Sequence, residues 1–550
     1  MNTLRKASQV VRTHVNRLSN NLHLRRYAIK IDSLARPDAN LQPVVFFNAS
    51  TRLVGISLNA AFSLLTAWAI RLKHVPVVQF VCQAGMSRCV LGTDKDDFSK
   101  LPPCTICLAQ SRWLFTSAMV VPFVYKEDRQ LNNSLQGLTL SQLMEFECQP
   151  TDGDHPIPQG DTVQSIPLGQ LVSPSIRWVL RRHTLLDDEP TRFLYRQYIL
   201  SAYRIAQEFS TLLDQTTPQA VILFNGMFFP EATARWVATR RGIRTITHEV
   251  GLQPMSAFFT TGEATAYPLQ VPDHFELNET QNARLDAYLG KRFKGQFSMA
   301  GIKFWPEIKG LDQAFLQKAS AFKQVVPVFT NVIFDTSQPH SNVVFPHMFA
   351  WLDMVLEIAG SHPETLFVIR AHPDEARPGK ASQESVRQWI AQNQAESLPN
   401  LIFIDSNEPL SSYELIQRSK FVMVYNSTIG LEASIMGSPV LCGGRARFTQ
   451  LPTVFFPHTP QDFRQQAESL LDATEIIVPA QFRRNARRFL YYQLYFSSLP
   501  FGDFIEPDLM PGFVHLRNFT IQELTPENSP TVKILLDGIL DGKPFLMEEQ

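Results

Sequence analysis

One segment of the sequence combines the residue types that bind anions at the start of a helix. Residues 424–444 read VYNSTIGLEASIMGSPVLCGG, which is an apolar run, a polar turn, a short helical pattern and a second apolar run. Asn426, Ser427 and Thr428 are all favourable N-cap types, so the helix start would present backbone N–H groups and two hydroxyls at a strand end. Such a helix start is suited to bind a phosphate group.

Glu432 lies one turn into the same predicted helix. It lacks the capping-box spacing, because the third residue after each hydroxyl residue is glycine or leucine. A carboxylate here could accept hydrogen bonds from the paired hydroxyls of a ribose, as acidic residues do in nucleotide-binding folds. The alternative is structural: Ser and Thr cap many helices, and an acidic residue in the first turns stabilises the helix dipole.

Two further predicted strands end in polar residues. FVIRAHPDE (367–375) carries Arg370 and His372 at its end, and the proline after His372 favours an extended conformation that points this residue out of the sheet. VFTNVIFDTS (328–337) places Asn331 directly after its apolar run. Because doubly wound sheets bind ligands at the carboxyl ends of their strands, we expect these side chains to share one crevice.

The elements that would position these residues are alternating strands and helices in both halves of the chain. Apolar, β-branched runs separated by helical patterns are typical of parallel βαβ units. The predicted strands are 43–47, 75–81, 220–224 and 243–248 in the first half, and 325–329, 366–369, 401–404, 421–424 and 439–441 in the second. The sequence therefore predicts an α/β fold of two Rossmann-like, doubly wound domains that face a cleft.

We divide the chain into four parts, since 550 residues exceed a single core. Residues 1–30 form a basic arm. Residues 31–310 form the first Rossmann-like domain, which includes an excursion rich in Asp, Gln, Pro and Gly at 128–187. Residues 311–480 form the second Rossmann-like domain, and residues 481–550 form a C-terminal helix and tail.

The motifs Thr-Asn, Arg-x-His-Pro and Asn-Ser-Thr-x-Gly-x-Glu-Ala, taken together, resemble the C-terminal half of bacterial capsule and surface polysaccharide biosynthesis proteins. These are glycosyltransferases of the GT-B type, similar also to the Kdo-, sialic-acid- and teichoic-acid-type transferases. The resemblance covers about 325–444 and implies that a nucleotide-sugar donor lies between the domains, mainly on the second. It implies that His372 contacts the donor phosphate or nucleotide, Ser427 and Thr428 the phosphate, and Glu432 the ribose. The predicted donor-binding residues are Asn331, Arg370, His372, Asn426, Ser427, Thr428 and Glu432.

A candidate catalytic base lies in the first half, where residues 225–251 predict a strand end, a helix, a strand and a glycine turn. The second strand would deliver His248 and Glu249 to the cleft, and sugar transfer needs a general base for the acceptor hydroxyl. We predict Glu249 as the base, with His248 second; the motif resembles a His-Glu-x-Gly element of the surface-polysaccharide family. The alternative is that Glu249 caps a helix or pairs with Arg241 or Arg244.

Metal clamps on a donor diphosphate commonly use Asp-x-Asp, and none stands out in this sequence. GTDKDDF (92–98) contains three aspartates, but its composition and position beside cysteines favour a turn. We therefore expect catalysis without a metal cofactor.

Four of the six cysteines lie within 26 residues, in the pattern C-x6-C-x14-C-x2-C. In a reducing compartment such a cluster favours a tetrahedral structural zinc site over disulfides. An iron–sulfur cluster and ordinary buried thiols are the alternatives. The candidate ligands are Cys82, Cys89, Cys104 and Cys107.

The charge balance of the chain excludes some partners. The sequence has 51 basic and 51 acidic residues, which argues against a general nucleic-acid binder. The first 30 residues, however, contain seven Lys or Arg and no acid, beside apolar residues at helical spacing. They lack the apolar core of a secretory signal, so we expect a cytoplasmic protein whose arm could touch an anionic inner-membrane surface or dock on the body.

The favoured function is the transfer of a sugar from a nucleotide donor to a surface-polysaccharide or lipid-linked glycan acceptor. A nucleotide-sugar epimerase on the same scaffold is a second enzymatic hypothesis, and it would need further acid/base carboxylates at the cleft. A third is a non-catalytic, metal-stabilised scaffold subunit of a glycan-assembly complex. In that case Cys82→Ser would abolish complementation of a glycan-deficient strain, and Glu249→Ala would not.

Overall fold

The computed structural model describes residues 2–48, 55–115, 118–149, 165–294, 309–377 and 381–548, and the side chains from residue 15 onward. The strands are β1 Val44–Asn48, β2 Val77–Cys82, β3 Met119–Phe123, β4 Ala220–Phe224, β5 Arg244–Val250, β6 Ser256–Thr261, β7 Gln324–Phe329, β8 Thr365–Arg370, β9 Leu401–Ile404, β10 Val422–Val424, β11 Val440–Cys442, β12 Leu499–Pro500, β13 Ile505–Pro507 and β14 Val514–Leu516.

The helices alternate with these strands. They are α1 Asn2–Leu34, α2 Leu58–Leu72, α3 Cys104–Leu114, α4 Arg129–Leu135, α5 Leu140–Met144, α6 Leu168–Leu180, α7 Glu189–Thr216, α8 Phe229–Arg240, α9 Glu279–Phe293, α10 Gln313–Ala319, α11 Gln338–Ser341, α12 Met348–Ser361, α13 Val386–Gln392, α14 Ser412–Gln417, α15 Ile429–Met436, α16 Pro460–Asp472, α17 Ala480–Tyr495 and α18 Pro530–Leu540.

The first sheet has the order β12-β6-β5-β4-β1-β2-β3. Its strands from β5 to β3 run parallel, whereas β6 is antiparallel to both β5 and β12. Successive residues of a strand point to opposite faces. Accordingly Val44 and Phe46 join the core beneath α1, α2 and α18, while Val45 and Phe47 join the core beneath α6, α7 and α8.

The second sheet has five parallel strands in the order β11-β10-β7-β8-β9. It is also covered on both faces, because Leu366 and Val368 pack towards α15 and α17 while Phe367 and Ile369 pack towards α12 and α16. Burial on both faces explains why its strands are continuous apolar runs in the sequence. The predicted fold class, two doubly wound α/β domains, is confirmed.

The nine predicted strands are all present, with ends that differ from the prediction by at most two residues. The apolar segment 56–70 contains the buried helix α2, whose first turn is capped by the side chain of Ser57. In the second half, α13 is a short helix that spans Val386–Gln392. Sequence analysis missed β3, at one edge of the first sheet, β6, beside the short edge strand β12, and β12 to β14, which are two or three residues long.

Two segments pack against parts of the fold that their positions in the sequence do not suggest. The excursion at 128–187 contributes α4, α5 and α6 to the core of the first sheet, and its residues 150–164 lie outside the described part. After α17, the chain returns to the first half, where β12 pairs with β6 and α18 packs on α2. Within the described residues, the structure contains no helix that is both long enough and apolar enough to cross a membrane.

Candidate functional site

A cavity of about 250 Å³ lies at the carboxyl ends of the second sheet's strands. Its opposite wall comes from the first half of the chain, through Leu252, Thr265 and Ala266. The structure brings six of the seven predicted donor-binding residues together here. These six are Asn331, His372, Asn426, Ser427, Thr428 and Glu432.

Two asparagines from neighbouring strand ends connect across the floor of this cavity. The Nδ2 of Asn331, after β7, donates to Oδ1 of Asn426, after β10, at 2.7 Å. The Nδ2 of Asn426 in turn donates to Oγ of Ser341 at 2.6 Å. These hydrogen bonds hold the loops after β7 and β10 in fixed positions relative to each other, so the shape of the cavity does not depend on a ligand.

The start of α15 faces the cavity with its hydroxyls. Thr428 is the N-cap residue, but its side chain makes no capping hydrogen bond to the helix. Ser427 is buried and Thr428 is exposed, and both line the cavity. The capping use that the sequence also allowed is therefore absent at Thr428, and both hydroxyl residues at the helix start border the cavity.

His372 is fixed by its own backbone environment. It precedes a short helical turn, and its Nδ1 accepts a hydrogen bond from the backbone N–H of Asp374 at 3.2 Å. Burial lowers the pKa of His372, although the nearby carboxylates of Asp374 and Asp335 act in the opposite direction. The imidazole is consequently neutral at pH 7, and since Nδ1 is an acceptor, the proton resides on Nε2.

Glu432 is held by two partners that the sequence analysis did not anticipate. Its Oε1 accepts from Nε of Arg292 at 2.6 Å, and its Oε2 accepts from the hydroxyl of Tyr413 at 2.6 Å. Burial alone would lower the pKa of Arg292, but the attraction of Glu432 outweighs burial and raises it. An ionised carboxylate has about four acceptor positions, so this pair leaves room for a sugar hydroxyl.

Arginines also line the cavity, at positions that sequence reasoning did not single out. Arg445 and Arg447 follow β11, whose carboxyl end lies at the same edge as those of β7, β8 and β10. The guanidinium of Arg447 lies 3.5 Å from the ring centroid of Tyr267. The signal was present in the sequence as GGRAR directly after the fifth strand of this sheet, a strand end whose polar residues we did not follow.

The structure does not bring Arg370 to the cavity, which corrects its expected placement. Its side chain is buried beneath the adjoining loop, and Nη2 approaches the carbonyl oxygen of Glu408 at 3.4 Å. Burial lowers its pKa to about 10. The sequence located Arg370 correctly at a strand end, but the direction of its side chain depends on the neighbouring loop.

The predicted catalytic residues, Glu249 and His248, lie near the carboxyl end of β5 in the first sheet. Amide groups surround the carboxylate of Glu249. The carboxylate of Glu249 accepts hydrogen bonds from Nδ2 of Asn225 at 2.8 Å, from Nδ2 of Asn59 at 3.4 Å and from the backbone N–H of Val250 at 2.9 Å. Burial raises the pKa of Glu249, and these hydrogen bonds oppose the rise. Glu249 is not one of the residues that line the cavity, but it lies behind its wall.

Tyr267 and Arg447 lie between Glu249 and the cavity. The hydroxyl of Tyr267 donates to the carbonyl oxygen of Val250 at 2.9 Å, and Arg447 lies over the same ring. The charge of Arg447 also lowers the pKa of Glu249 slightly. The pairing of Glu249 with an arginine of its own strand region is absent, since Arg241 binds Asp214 and Arg244 donates to backbone carbonyls near α18.

His248 points away from the donor cavity. It is buried among aromatic rings and lines a separate cavity of about 70 Å³, and its Nδ1 lies 3.3 Å from Oδ1 of Asn59. Burial lowers its pKa to about 3. His248 is therefore neutral at pH 7, and Asn59 links its side chain to that of Glu249.

The two halves of the chain also meet beside the cavity through charged groups. Glu263 of the first half accepts from Arg235 at 2.5 Å and lies 3.2 Å from Nε2 of His340 in the second half. The same Nε2 lies 3.0 Å from Oγ1 of Thr265. A carboxylate of the cavity, Asp335, is exposed nearby, with Oγ of Ser337 at 3.1 Å.

The cysteine cluster is placed at the end of β2 and the start of α3. Backbone N–H groups donate to the sulfurs of Cys82 and Cys89, each at 3.3 Å. Burial raises the pKa of Cys82 to about 11 and that of Cys89 and Cys107 to about 12. In the described part of the chain, no three His, Cys, Asp or Glu side chains are arranged to hold one metal ion. The zinc site, with Cys104 as its fourth ligand, stays a prediction.

Comparison with known proteins locates one segment of the chain. Residues 313–474 match the family model described as capsule polysaccharide biosynthesis protein. This match confirms the resemblance for residues 313–474, a segment that contributes many of the residues that line the cavity. No curated protein matches the chain.

Solved structures show distant similarity. KpsC of Thermosulfurimonas dismutans, a beta Kdo 2,7 transferase, is 13% identical over 56% of this chain and 85% of its own, with a TM-score of 0.32. The UDP-GlcNAc 2-epimerase of Neisseria meningitidis is 13% identical over 81% of this chain and 97% of its own, with a TM-score of 0.25. Sucrose-phosphate synthase of Thermosynechococcus elongatus is 10% identical over 82% and 95%, with a TM-score of 0.27. Similarities this distant identify neither a substrate nor a catalytic residue.

Proposed function

We propose that this protein is a glycosyltransferase of the GT-B type, which transfers a sugar from a nucleotide-sugar donor to a surface-polysaccharide or lipid-linked glycan acceptor. The observation that carries the proposal is the composition of the cavity wall. An uncapped helix start, the side chain of His372 and two arginines converge on one hollow between the sheets. Together they provide N–H donors and positive charge for a phosphate, which leaves with the nucleotide during transfer.

The phosphate and the ribose of a nucleotide each have a matching surface in this hollow. Ser427 and Thr428 would donate to phosphate oxygens, and Nε2–H of His372 would donate to the same group. Arg445 and Arg447 would stabilise the negative charge that develops on the leaving phosphate. Glu432, already oriented by Arg292, would accept the ribose hydroxyls. No metal step is needed for this scheme, since the chain's own cations face the phosphate.

The acceptor hydroxyl would lose its proton to Glu249. Its burial favours the protonated form, and a raised pKa brings a carboxylate closer to the operating range of a general base. Since Tyr267 and Arg447 separate it from the cavity, closure of the two halves would have to bring the acceptor to it. The exposed carboxylate of Asp335 is the alternative base.

A ligand screen tests the proposal directly. We expect that one of CMP, UDP, GDP and CDP raises the midpoint of thermal unfolding, because a ligand that binds only the folded form stabilises it. Calorimetry with the same nucleotide should give one site per chain. If no nucleoside mono- or diphosphate and none of their sugar conjugates binds, the proposal fails.

One observation supports a second candidate, a nucleotide-sugar epimerase. Such an enzyme needs acid/base carboxylates at the sugar, and Asp335 and Asp374 both line the cavity. Incubation with a radiolabelled donor separates the two functions. A transferase moves the label to a glycan or lipid, whereas an epimerase returns it as a free, altered nucleotide sugar.

We further propose that α1 contacts an anionic membrane surface. Leu24 and Tyr27 dock this helix on the first core, whereas Val15, Leu18 and Leu22, which are 58%, 56% and 53% exposed, form an outward apolar stripe among basic residues. Such a helix inserts its apolar face at an interface and its cations bind anionic headgroups. The protein should float with phosphatidylglycerol vesicles and not with phosphatidylcholine vesicles. Flotation that survives Leu18→Glu combined with Leu22→Glu would contradict this role.

A further inference from the structure

A second depression lies beside the donor cavity, between α9 and α17. Its volume is about 570 Å³, and it opens to solvent. The side chains of Tyr288, Tyr495 and Phe496 form much of its surface. We call it the aromatic groove, and the fold described so far assigns it no role.

The aromatic groove is continuous with the donor cavity through one residue. Tyr288 lines both hollows. Its hydroxyl accepts a hydrogen bond from Nη1 of Arg292 at 3.2 Å, and Arg292 holds Glu432 at 2.6 Å. A ligand that lies in the groove therefore ends one side chain away from the residues proposed to hold the donor. The groove also adjoins Gln253 and Pro254, in the turn that follows Glu249.

Two cations lie on the same helix face as this shared tyrosine. Arg284, Tyr288 and Lys291 are spaced by four and three residues along α9, which places them on one side of the helix. Both cations are exposed, and neither lies within 4.0 Å of a carboxylate among the residues that the structure describes. The guanidinium of Arg284 is instead 3.9 Å from the ring centroid of Tyr495. One acid, Glu548, borders the groove.

These features match the chemistry of an acidic sugar chain. Aromatic rings offer flat apolar faces with negative potential, on which the C–H faces of a sugar ring can stack. Arginine and lysine pair with carboxylates or phosphates, and arginine does so with two parallel hydrogen bonds. An uncharged glycan would use the rings but leave both cations without an anionic partner. A nucleotide is better matched by the donor cavity, whose wall carries an uncapped helix start.

We propose that the aromatic groove binds an anionic oligosaccharide segment of the acceptor and delivers its end past Tyr288 to the donor cavity. The proposal rests on the proposed transferase function and adds to it a class of acceptor, a glycan that carries carboxylate or phosphate groups. It also assigns Arg284 and Lys291 the role of recognising that charge. These residues hold the acceptor and take no part in the chemical step.

Calorimetry with two oligosaccharides tests this assignment. We expect the full-length protein to bind hexagalacturonate, a carboxylated probe, at least about tenfold more tightly than maltohexaose, an uncharged one. Arg284→Gln combined with Lys291→Gln should lower the affinity for hexagalacturonate by at least about tenfold and leave that for maltohexaose within about twofold. Nucleotide affinity should not change in this variant. The double variant Arg284→Lys with Lys291→Arg keeps both charges and should bind hexagalacturonate about as tightly as the wild type.

The matched control removes two charges elsewhere. Lys126 and Arg129, whose side chains are 73% and 86% exposed, do not line the aromatic groove. The variant that combines Lys126→Gln with Arg129→Gln should therefore bind hexagalacturonate with the affinity of the wild type. Equal affinity for the two oligosaccharides, or equal loss in both double variants, overturns the proposal. Failure of the transferase proposal is a separate result, in which hexagalacturonate binds at the groove but no nucleotide binds at all.

Discussion

The two sheets of this molecule have similar topology but use their carboxyl-terminal edges differently. At the second sheet, the loops after β7, β8, β10 and β11 are open, and their polar side chains face one shared cavity. At the first sheet, Asn225 after β4, Asn59 in the first turn of α2 and the backbone N–H of Val250 all donate to Glu249 near the end of β5. One edge is a polar surface that faces a cavity, and the other is a closed network.

This difference indicates a division of labour. An open wall with uncapped donors gains most from a ligand, since the ligand supplies the missing hydrogen-bond acceptors. A closed network gains little from a ligand but fixes the position of its central carboxylate, and positioning is what a general base requires. Variants at the first edge should therefore alter turnover, and variants at the second should alter affinity.

The largest expected effect is on turnover. Glu249→Gln keeps the shape of the side chain but removes the basic oxygen, so we expect the rate of sugar transfer to fall by about 100-fold or more. The affinity for the nucleotide, measured by calorimetry, should stay within about threefold because Glu249 does not line the cavity.

The matched variant for this experiment is Asp335→Asn, at the opposite edge. Its carboxylate is exposed in the cavity, so its loss should change nucleotide affinity more than it changes the rate at saturating donor. A reversed result, in which Glu249→Gln is active and Asp335→Asn is not, would move the base to the second sheet and end the division of labour.

A smaller effect is expected from the two histidines, which occupy comparable strand ends. His372→Ala should weaken nucleotide binding at least about tenfold, or about 1.4 kcal/mol, through loss of a hydrogen bond to a charged group. His248→Ala should spare nucleotide affinity and lower the midpoint of thermal unfolding, because His248 is packed among Phe62, Phe224 and Phe259. Equal nucleotide affinity in wild type and His372→Ala, for every nucleotide that binds, would remove the donor-site assignment.

The open edge could largely be predicted from the sequence. Its strands are continuous apolar runs, and the polar residues Asn331, His372 and Ser427 follow β7, β8 and β10 by two or three residues. Asn331, His372 and Ser427 thus reach the cavity as a direct consequence of strand length and parallel pairing. The resemblance to capsule biosynthesis proteins depended on these same residues, and the matched segment 313–474 contains all of them.

The partners of those residues could not be predicted, because they come from distant parts of the chain. Arg292 meets Glu432 across 140 residues, and the helix that carries Arg292 shows no motif. The closed edge depends in the same way on Asn59, which lies 190 residues before Glu249. Local pattern predicts which strand end a side chain occupies, but tertiary packing decides which neighbour it meets, as the burial of Arg370 shows.

The smallest expected effect concerns how the closed edge is held. Asn225 has a φ of 58°, in the left-handed region that asparagine tolerates better than most residues, and this conformation aims its amide at Glu249. Asn225→Gly keeps access to the conformation and loses only the side-chain hydrogen bonds, to Glu249 and from the backbone N–H of Met227, whereas Asn225→Ala loses both the conformation and these bonds. We expect alanine to be less stable than glycine by about 1 to 2 kcal/mol in urea unfolding. Turnover should be lowered in both variants, since each releases the carboxylate. If alanine is as stable as glycine, the backbone at this edge relaxes without cost, and the network does not fix Glu249 through Asn225.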